Sequence, residues 1–425
     1  MKDEVFIGMG SKERTMRKVS LAAVFFVLSL AVVGIAVGGV IAVDNTADST
    51  QSTVHHQENT TNYLSPAPGE TETTEYDRVS IDVSSVIDSS AREIHAEHER
   101  YAFEVALSTA DEAETRALVA EQKLDEIDRR YQRLDQHQED VFSEYERGTI
   151  ESAAVVRELT ALKSVIELQS DLRQRAEQET DPDSSLLSKL HSQEHALLVE
   201  QPVSDQLEQS LHGTTDPTTV YLQSGDSGLV LATIDDSTFK REATIRSERN
   251  LDGQDQFVET GEDEFQWGMG NAFPRSNELY PWAFDRDNLI QHDIGRADSS
   301  IHSQVYKITA HHHHGELSVY LDGGTTNVFH EAQTKPLSLL PVTETVSNST
   351  DEYTLELELT DRAGPMLAAV VDDDGTPITD APVTVDGQHV GTTDESGQLW
   401  IVRPHGPFEV SVSPDGERSV HVSSS

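Results

Sequence analysis

The sequence predicts a multi-domain α+β protein: an N-terminal transmembrane helix, a long antiparallel helical hairpin, a small antiparallel α+β domain and a C-terminal β-sandwich. Three observations carry this reading. Val19 to Val43 is an apolar run without a charge. Phe103, Ala106, Ala110, Ala113, Ala117, Ala120, Leu124, Ile127, Tyr131, Leu134, Gln138, Val141 and Tyr145 recur at alternating spacings of three and four, the heptad seam of a helix packed along another helix. Beyond Thr218, short runs rich in Val, Leu, Ile and Tyr are separated by Gly-containing turns, the mark of antiparallel strands.

Charge sets the environment. Of 425 residues, 76 are acidic and 31 basic, a net charge of −45 spread along the whole chain. Carboxylates at this density keep a protein hydrated in concentrated salt, where the screening length falls to about 3 Å at 1 M. This is the composition of a protein from a saturated-salt cytoplasm or brine. A disordered acidic chain would lack the periodic apolar positions. No basic patch is present, so nucleic acid is not an expected partner. The chain has no cysteine, which excludes disulfides, thiolate chemistry, Cys-based zinc sites and a lipid-modified N-terminal Cys.

Residues 1–18 form a basic N-terminus with Lys12, Arg14, Arg17 and Lys18 just before the apolar run. Residues 19–43 are long enough to span a hydrocarbon core of about 30 Å. Asp44 and Asp48 follow. The positive-inside rule then keeps the N-terminus in the cytoplasm and places the rest outside. The rival reading is a cleaved signal peptide and a secreted chain. Residues 44–80, rich in Thr, Ser, Asn, Glu and Gln, read as a disordered polar linker. Asn59-Thr60-Thr61 and Asn348-Ser349-Thr350 are glycosylation-type sequons, each a weak signal.

Residues 81–213 read as the helical hairpin with a third helix. The first helix is expected from about Ser84 to Arg147 without interruption. A second seam, Ser152, Val155, Leu159, Leu162 and Ile166, follows a turn at Gly148-Thr149. The second helix is expected to stop near Glu179, before Asp181-Pro182. Being shorter, it would leave the alanine end of the first helix overhanging. A third helix, Ser184 to Glu200, or a second subunit would cover that end. If the turn is at Gly148-Thr149, facing positions sum to 296 or 297, so Val141 meets Val155 and Leu134 meets Leu162.

Residues 214–345 read as an antiparallel α+β meander. VYLQ and GLVLATI form a hairpin, Phe239 to Arg246 continues it, and the stretch around Trp267, Tyr280 and Trp282 is irregular or helical. VYKITA, ELSVYLD and TNVFHEA follow, with turns at His314-Gly315 and Gly323-Gly324. Residues 350–425 read as the β-sandwich, its turns at Asp374-Gly375, Asp386-Gly387 and Ser396-Gly397.

Candidate chemistry is sparse. Gly225-Asp226-Ser227-Gly228 has the GDSG of a trypsin-like serine, but Leu229 follows and the nearest TAxH-like stretch, Thr309-Ala310-His311, comes after it in the chain. A hairpin turn explains it. His311, His312, His313 and His314 end a strand, where alternate residues point the same way, so two at a time could meet a metal. Nothing is placed to complete a ligand set. Asp372-Asp373-Asp374-Gly375 lacks the spacing of a calcium loop and reads as a turn. No catalytic, cofactor or metal residue is therefore expected, and the chain is not expected to be an enzyme.

From Leu367 onward, Gly375, Pro377, Ala381, Val383 to Gly387, Gly391-Thr392-Thr393-Asp394, Gly397, Pro404, Gly406 and Phe408 resemble carboxypeptidase regulatory-like, or transthyretin-like, domains. That resemblance implies an accessory β-sandwich without catalytic residues. The order of leader, linker, hairpin with its Tyr145–Ile150 turn, meander with Glu316–Leu337, and sandwich is similar to a family of exported haloarchaeal proteins of unknown function. Glu316–Leu337 also resembles a PepSY-type hairpin. The expected function is a membrane-anchored extracellular structural or interaction protein of a halophilic archaeon. Its partners would be the membrane, through a single span, and a protein or a second copy through the hairpin. The alternative is a secreted module whose middle domain recognises a peptide, glycan or metal.

Overall fold

The computed structural model describes residues 53–66, 73–225, 228–258, 264–296, 303–414 and 419–424. The basic N-terminus, the apolar run 19–43 and residues 44–52 lie outside the described residues. Among the described residues, no helix is long and apolar enough to cross a membrane. The chain from Gln51 on packs as one compact unit.

The stretch 44–80, expected as a disordered linker, is ordered where it is described. Strands β1 (Val54–His55) and β2 (Tyr63–Leu64) pair antiparallel, and β3 (Thr73–Val79) joins the large sheet. Thr61, Leu64 and Ser65 are fully buried. The reason is that the polar side chains of this segment find internal partners. Gln57 accepts from the Arg362 backbone N–H at 2.8 Å, and Asn62 donates to the Leu279 carbonyl at 2.7 Å. Buried polar groups so satisfied cost little, and composition alone does not distinguish them from solvated ones.

The helical part differs from a two-helix hairpin. The first predicted helix is two helices, α1 (Val83–Thr109) and α2 (Ala113–Glu146), separated where Ala110 and Glu112 take extended backbone. The chain reverses there, so α1 lies beside α2 and α3 (Ser152–Glu177). Phe103 and Leu107 are thereby buried against the bundle, and no alanine end overhangs. The seam spacing runs unbroken across the reversal, which is why periodicity missed it. The α2–α3 turn is where it was expected. Gly148, at φ 66°, and Thr149 donate to the carbonyls of Tyr145 and Glu144, a glycine-ended helix cap. The register is close to the expected one: the ion pairs His137–Glu158 and Arg116–Glu179 each sum to 295. Val141, Val155, Leu134 and Leu162 are all buried. The third helix is α4 (Ser184–Leu197), and a further helix, α5 (Pro202–Leu211), was not foreseen.

An eight-stranded antiparallel sheet follows: β3, then β4 (Thr218–Gly225), β5 (Gly228–Asp235) and β6 (Thr238–Ile245). Helices α6 (Glu264–Leu279) and α7 (Pro281–Phe284) interrupt the chain before β7 (Leu289–Arg296), β8 (Val305–His312), β9 (Gly315–Asp322) and β10 (Val328–Pro336). The spatial order is β3-β4-β5-β6-β10-β9-β8-β7. It is therefore not one sequential meander but two, joined at β6 and β10. Strand β7 and the recruitment of β3 were not foreseen. Alternation splits the sheet's residues between its faces. Val220, Leu222, Leu229 and Leu231 pack with the helical bundle, while Val230, Tyr306, Ile308 and Ala310 pack with α6 and α7. The bundle is thus a layer on the sheet, not a free stalk.

The sandwich comprises β11 (Glu344–Ser349), β12 (Tyr353–Leu359), β13 (Pro365–Asp372), β14 (Pro382–Val385), β15 (Gln388–Thr392), β16 (Gln398–Val402), β17 (Phe408–Val412) and β18 (Val420–Ser424). Its sheets are β11-β12-β13-β16 and β15-β14-β17-β18. The β14–β15 turn, Asp386-Gly387, has positive φ at both residues, as a two-residue hairpin of this hand requires. The sandwich begins at Glu344, six residues before its expected start.

Candidate functional site

Polar clusters in this protein are of two kinds, those consumed in joining its parts and those left lining a cleft. The tetrahistidine is of the first kind. His312, buried at the end of β8, and His314, half-buried in the β8–β9 turn, both reach the β1–β2 segment. His312 Nε2 lies 3.2 Å from Thr61 Oγ1, and His314 Nδ1 lies 3.2 Å from Thr60 Oγ1. The His314 ring stacks on Trp282, centroids 4.4 Å apart. Burial, and then the nearby Lys335 ammonium, push His312 down to about 3, so it stays neutral at neutral pH. His311 pairs instead with Glu316 at 2.9 Å. His312 and His314 thus hold the β1–β2 segment against the end of β8 and the β8–β9 turn. Among the described residues no cluster of His, Asp and Glu has the arrangement of a metal site.

Gly225 pairs with Gly228 at the end of the β4–β5 hairpin, and Asp226 and Ser227 lie outside the described residues. Asp372 Oδ1 accepts from the backbone N–H groups of Asp374 and Thr376 at 3.0 and 2.7 Å, an Asx-type turn. Asn59 is exposed at positive φ, and Asn348 on β11 donates to the His421 carbonyl at 2.8 Å.

Two charged knots lie deeper. Arg173 on α3 donates from Nε to Glu194 on α4 at 2.6 Å, and Glu194 also accepts from Tyr131 at 2.8 Å and Ser170 at 2.8 Å. Burial alone would raise the Glu194 carboxyl; the Arg173 guanidinium outweighs it and holds it below its ordinary value. Glu242 on β6 accepts from the Val203 N–H and from Ser204, capping the first turn of α5. Burial pushes Glu242 up to about 7.

The cleft lies between the large sheet and the sandwich, about 660 Å³ in volume. One wall comes from β4 and the β5–β6 turn, with Tyr221, Ile234, Asp235 and Asp236; the other comes from β15 and β16, with Val390, Leu399 and Trp400. Tyr76 on β3 closes the back. Its hydroxyl donates to the Val402 carbonyl at 2.6 Å, and its ring meets that of Tyr221 at 5.3 Å. Burial raises the Tyr76 phenol well above its ordinary value, so it remains a donor. Asp235 is held by Lys240 at 2.7 Å, and Asp394 is engaged by its own turn through Ser396. Among the described residues lining the cleft there is no histidine and no basic side chain. It offers aromatic and aliphatic faces, hydroxyls, amides and carboxylates, a lining suited to recognition. No local pattern marks it, because its walls come from segments about 180 residues apart.

A second hollow, about 560 Å³, separates α2 and α4 from the end of β6. Its basic residues are engaged: Arg246 and Arg249 both pair with Asp135, and Lys189 pairs with Asp128 at 2.9 Å. Burial would raise Asp135; Arg249 and Arg246 outweigh it and lower it. This hollow is a seam between bundle and sheet.

Comparison with known proteins divides the chain near the ends of the helical bundle and of the large sheet, with β1 to β3 in the first span. Residues 15–216 match a domain of unknown function, DUF7096, and residues 220–341 match a family of unknown function, DUF7094. Residues 344–421 match an archaeal fibronectin-III type-like domain. The sandwich is thus matched to a different family from the carboxypeptidase regulatory-like one it was expected to resemble. No curated protein and no solved structure matches the chain. The matches are consistent with an archaeal protein of unknown function that carries a β-sandwich domain.

Proposed function

We propose that the chain is a membrane-anchored extracellular interaction protein of a halophilic archaeon. The net charge of −45 supports the saline setting. The uncharged run 19–43, basic before and acidic after, supports a single span with the bulk of the chain outside. The observation that carries an interaction role is the cleft between sheet and sandwich, whose aromatic and carboxylate lining suits binding. The helical layer braces the sheet that supplies one of its walls. Fractionation in molar salt tests the anchor. The chain should stay with washed membranes and be released by detergent, and its recovery in the medium would reject the anchor.

The same cleft favours a second reading, a secreted module that binds a peptide or glycan there. Trp400→Ala removes an aromatic wall while leaving the sandwich core intact, since Trp400 is only partly buried. Under this reading it abolishes ligand capture by the medium fraction, and capture unchanged by Trp400→Ala would exclude the cleft.

A further inference from the structure

Helix α1 is apolar on two opposite faces. Its inner face buries Phe103 at 4% exposure. Ile94 lies nine residues before Phe103, which at about 100° per residue places it on the opposite side. It is 70% exposed. Ile87 is 62% and Tyr101 69% exposed. Ile87, Ile94 and Tyr101 are each seven residues apart, and Ser84, Ala91 and His98 precede each by three. All six are exposed. This is a second heptad seam, with large residues at every d position and smaller or polar ones at every a position. A helix surface with that repeat is built to lie against another helix, and no described residue covers it.

We propose that this seam pairs with the same seam of a second copy, antiparallel. The layer sizes argue for it. In a parallel pair each position meets itself, so Ile94 would face Ile94 while Ala91 faced Ala91, and His98 would meet His98 in one layer. Ile at d also disfavours parallel two-stranded coils. In an antiparallel pair a faces d, so every layer joins a large residue to a smaller or polar one: Ile94 to Ala91, Ile87 to His98, Tyr101 to Ser84. The helix spacing is then uniform over residues 84–101, ~27 Å at the usual rise.

Charge selects the register. With facing residues summing to 185, the flanking positions place Asp88 beside His95, and Ser90 beside Glu97, of the other copy. The next register, one heptad along at a sum of 192, sets Glu97 directly against Glu97. Glu97, paired with Arg100 of its own helix at 2.8 Å, would there meet its own copy, a like-charge contact that the first register avoids. The partner that fits is therefore a second copy of this chain. This pairing does not involve the cleft, so the two stand or fall separately.

The absence of native cysteine makes the test direct. The full chain is studied in molar salt with a nonionic detergent. Sedimentation should give a dimer for the native chain and a monomer for Ile94→Asp, with the circular dichroism unchanged because Ile94 is exposed in the single chain. Mixed samples of Ala91→Cys and Ile94→Cys, oxidised together, should form the mixed disulfide in excess over either self-pair. A native monomer, or a dimer that survives Ile94→Asp, would overturn the proposal. So would self-pairing of Ala91→Cys as the main product, since that is the parallel arrangement.

Discussion

Lys335 on β10 donates to Asp361, just past the end of β12, at 3.0 Å, with both side chains almost wholly buried. This pair ties the large sheet to the sandwich, and Thr60 from the β1–β2 segment reaches the same carboxylate.

Removing one partner leaves a buried charge alone. Lys335→Met should therefore cost about 3–5 kcal/mol, whereas Lys335→Met with Asp361→Leu should recover much of the loss. Chemical unfolding in molar salt measures both. A double variant no more stable than the single one would show that the pair's other hydrogen bonds dominate.

Glu242 gives a pH dependence of definite sign. Its folded value, raised to about 7 by burial, lies above the ordinary carboxylate value of about 4.3 in the unfolded chain. The folded state then binds the extra proton between those values. The stability this group contributes is full below the unfolded value and is lost as pH rises through about 7. Glu242→Gln, which keeps an acceptor for the α5 cap, should gain on the native chain in thermal midpoint from pH 5 to pH 8. A difference independent of pH would contradict the assignment.

Leu134, 8% exposed in the α2–α3 seam, tests the bundle core. Leu134→Ala should cost about 2–5 kcal/mol if the site does not collapse. A loss under about 0.5 kcal/mol, typical of surface sites, would place Leu134 outside the core.

Salt should govern stability. With 76 acidic and 31 basic residues, dilution lengthens the screening distance from about 3 Å at 1 M to about 10 Å at 0.1 M. The thermal midpoint should fall on dilution, and an unchanged midpoint would count against charge repulsion as the controlling force.

The long-range order of the fold was less legible than its elements. The seam from Leu124 to Tyr145, the Gly148 turn and the strands flanking Asp386-Gly387 are local patterns, and periodicity and turn chemistry find them. The reversal at Ala110–Glu112 was hidden because alanines on both sides keep the seam spacing whichever helix they face. Residues 53–66 looked like linker because Thr60, Thr61 and Asn62 are polar, yet their partners His314, His312 and Leu279 lie more than 200 residues away. Strand alternation did not find the contacts of His312 and His314, because His314 lies in the turn after β8 and both meet threonines, 251 and 254 residues away. The outer seam of α1 was present in the sequence as Ile87, Ile94 and Tyr101. It was masked by a stronger seam on the same helix.

We propose that the chain from Asp44 on lies outside a cell to which it is anchored. Protease added to intact cells in molar salt, followed by detection of the C-terminal sandwich, tests this most directly. Nearly all of the chain should be removed while cytoplasmic proteins survive. Full protection of the C-terminus in intact cells, with digestion only after lysis, would contradict it.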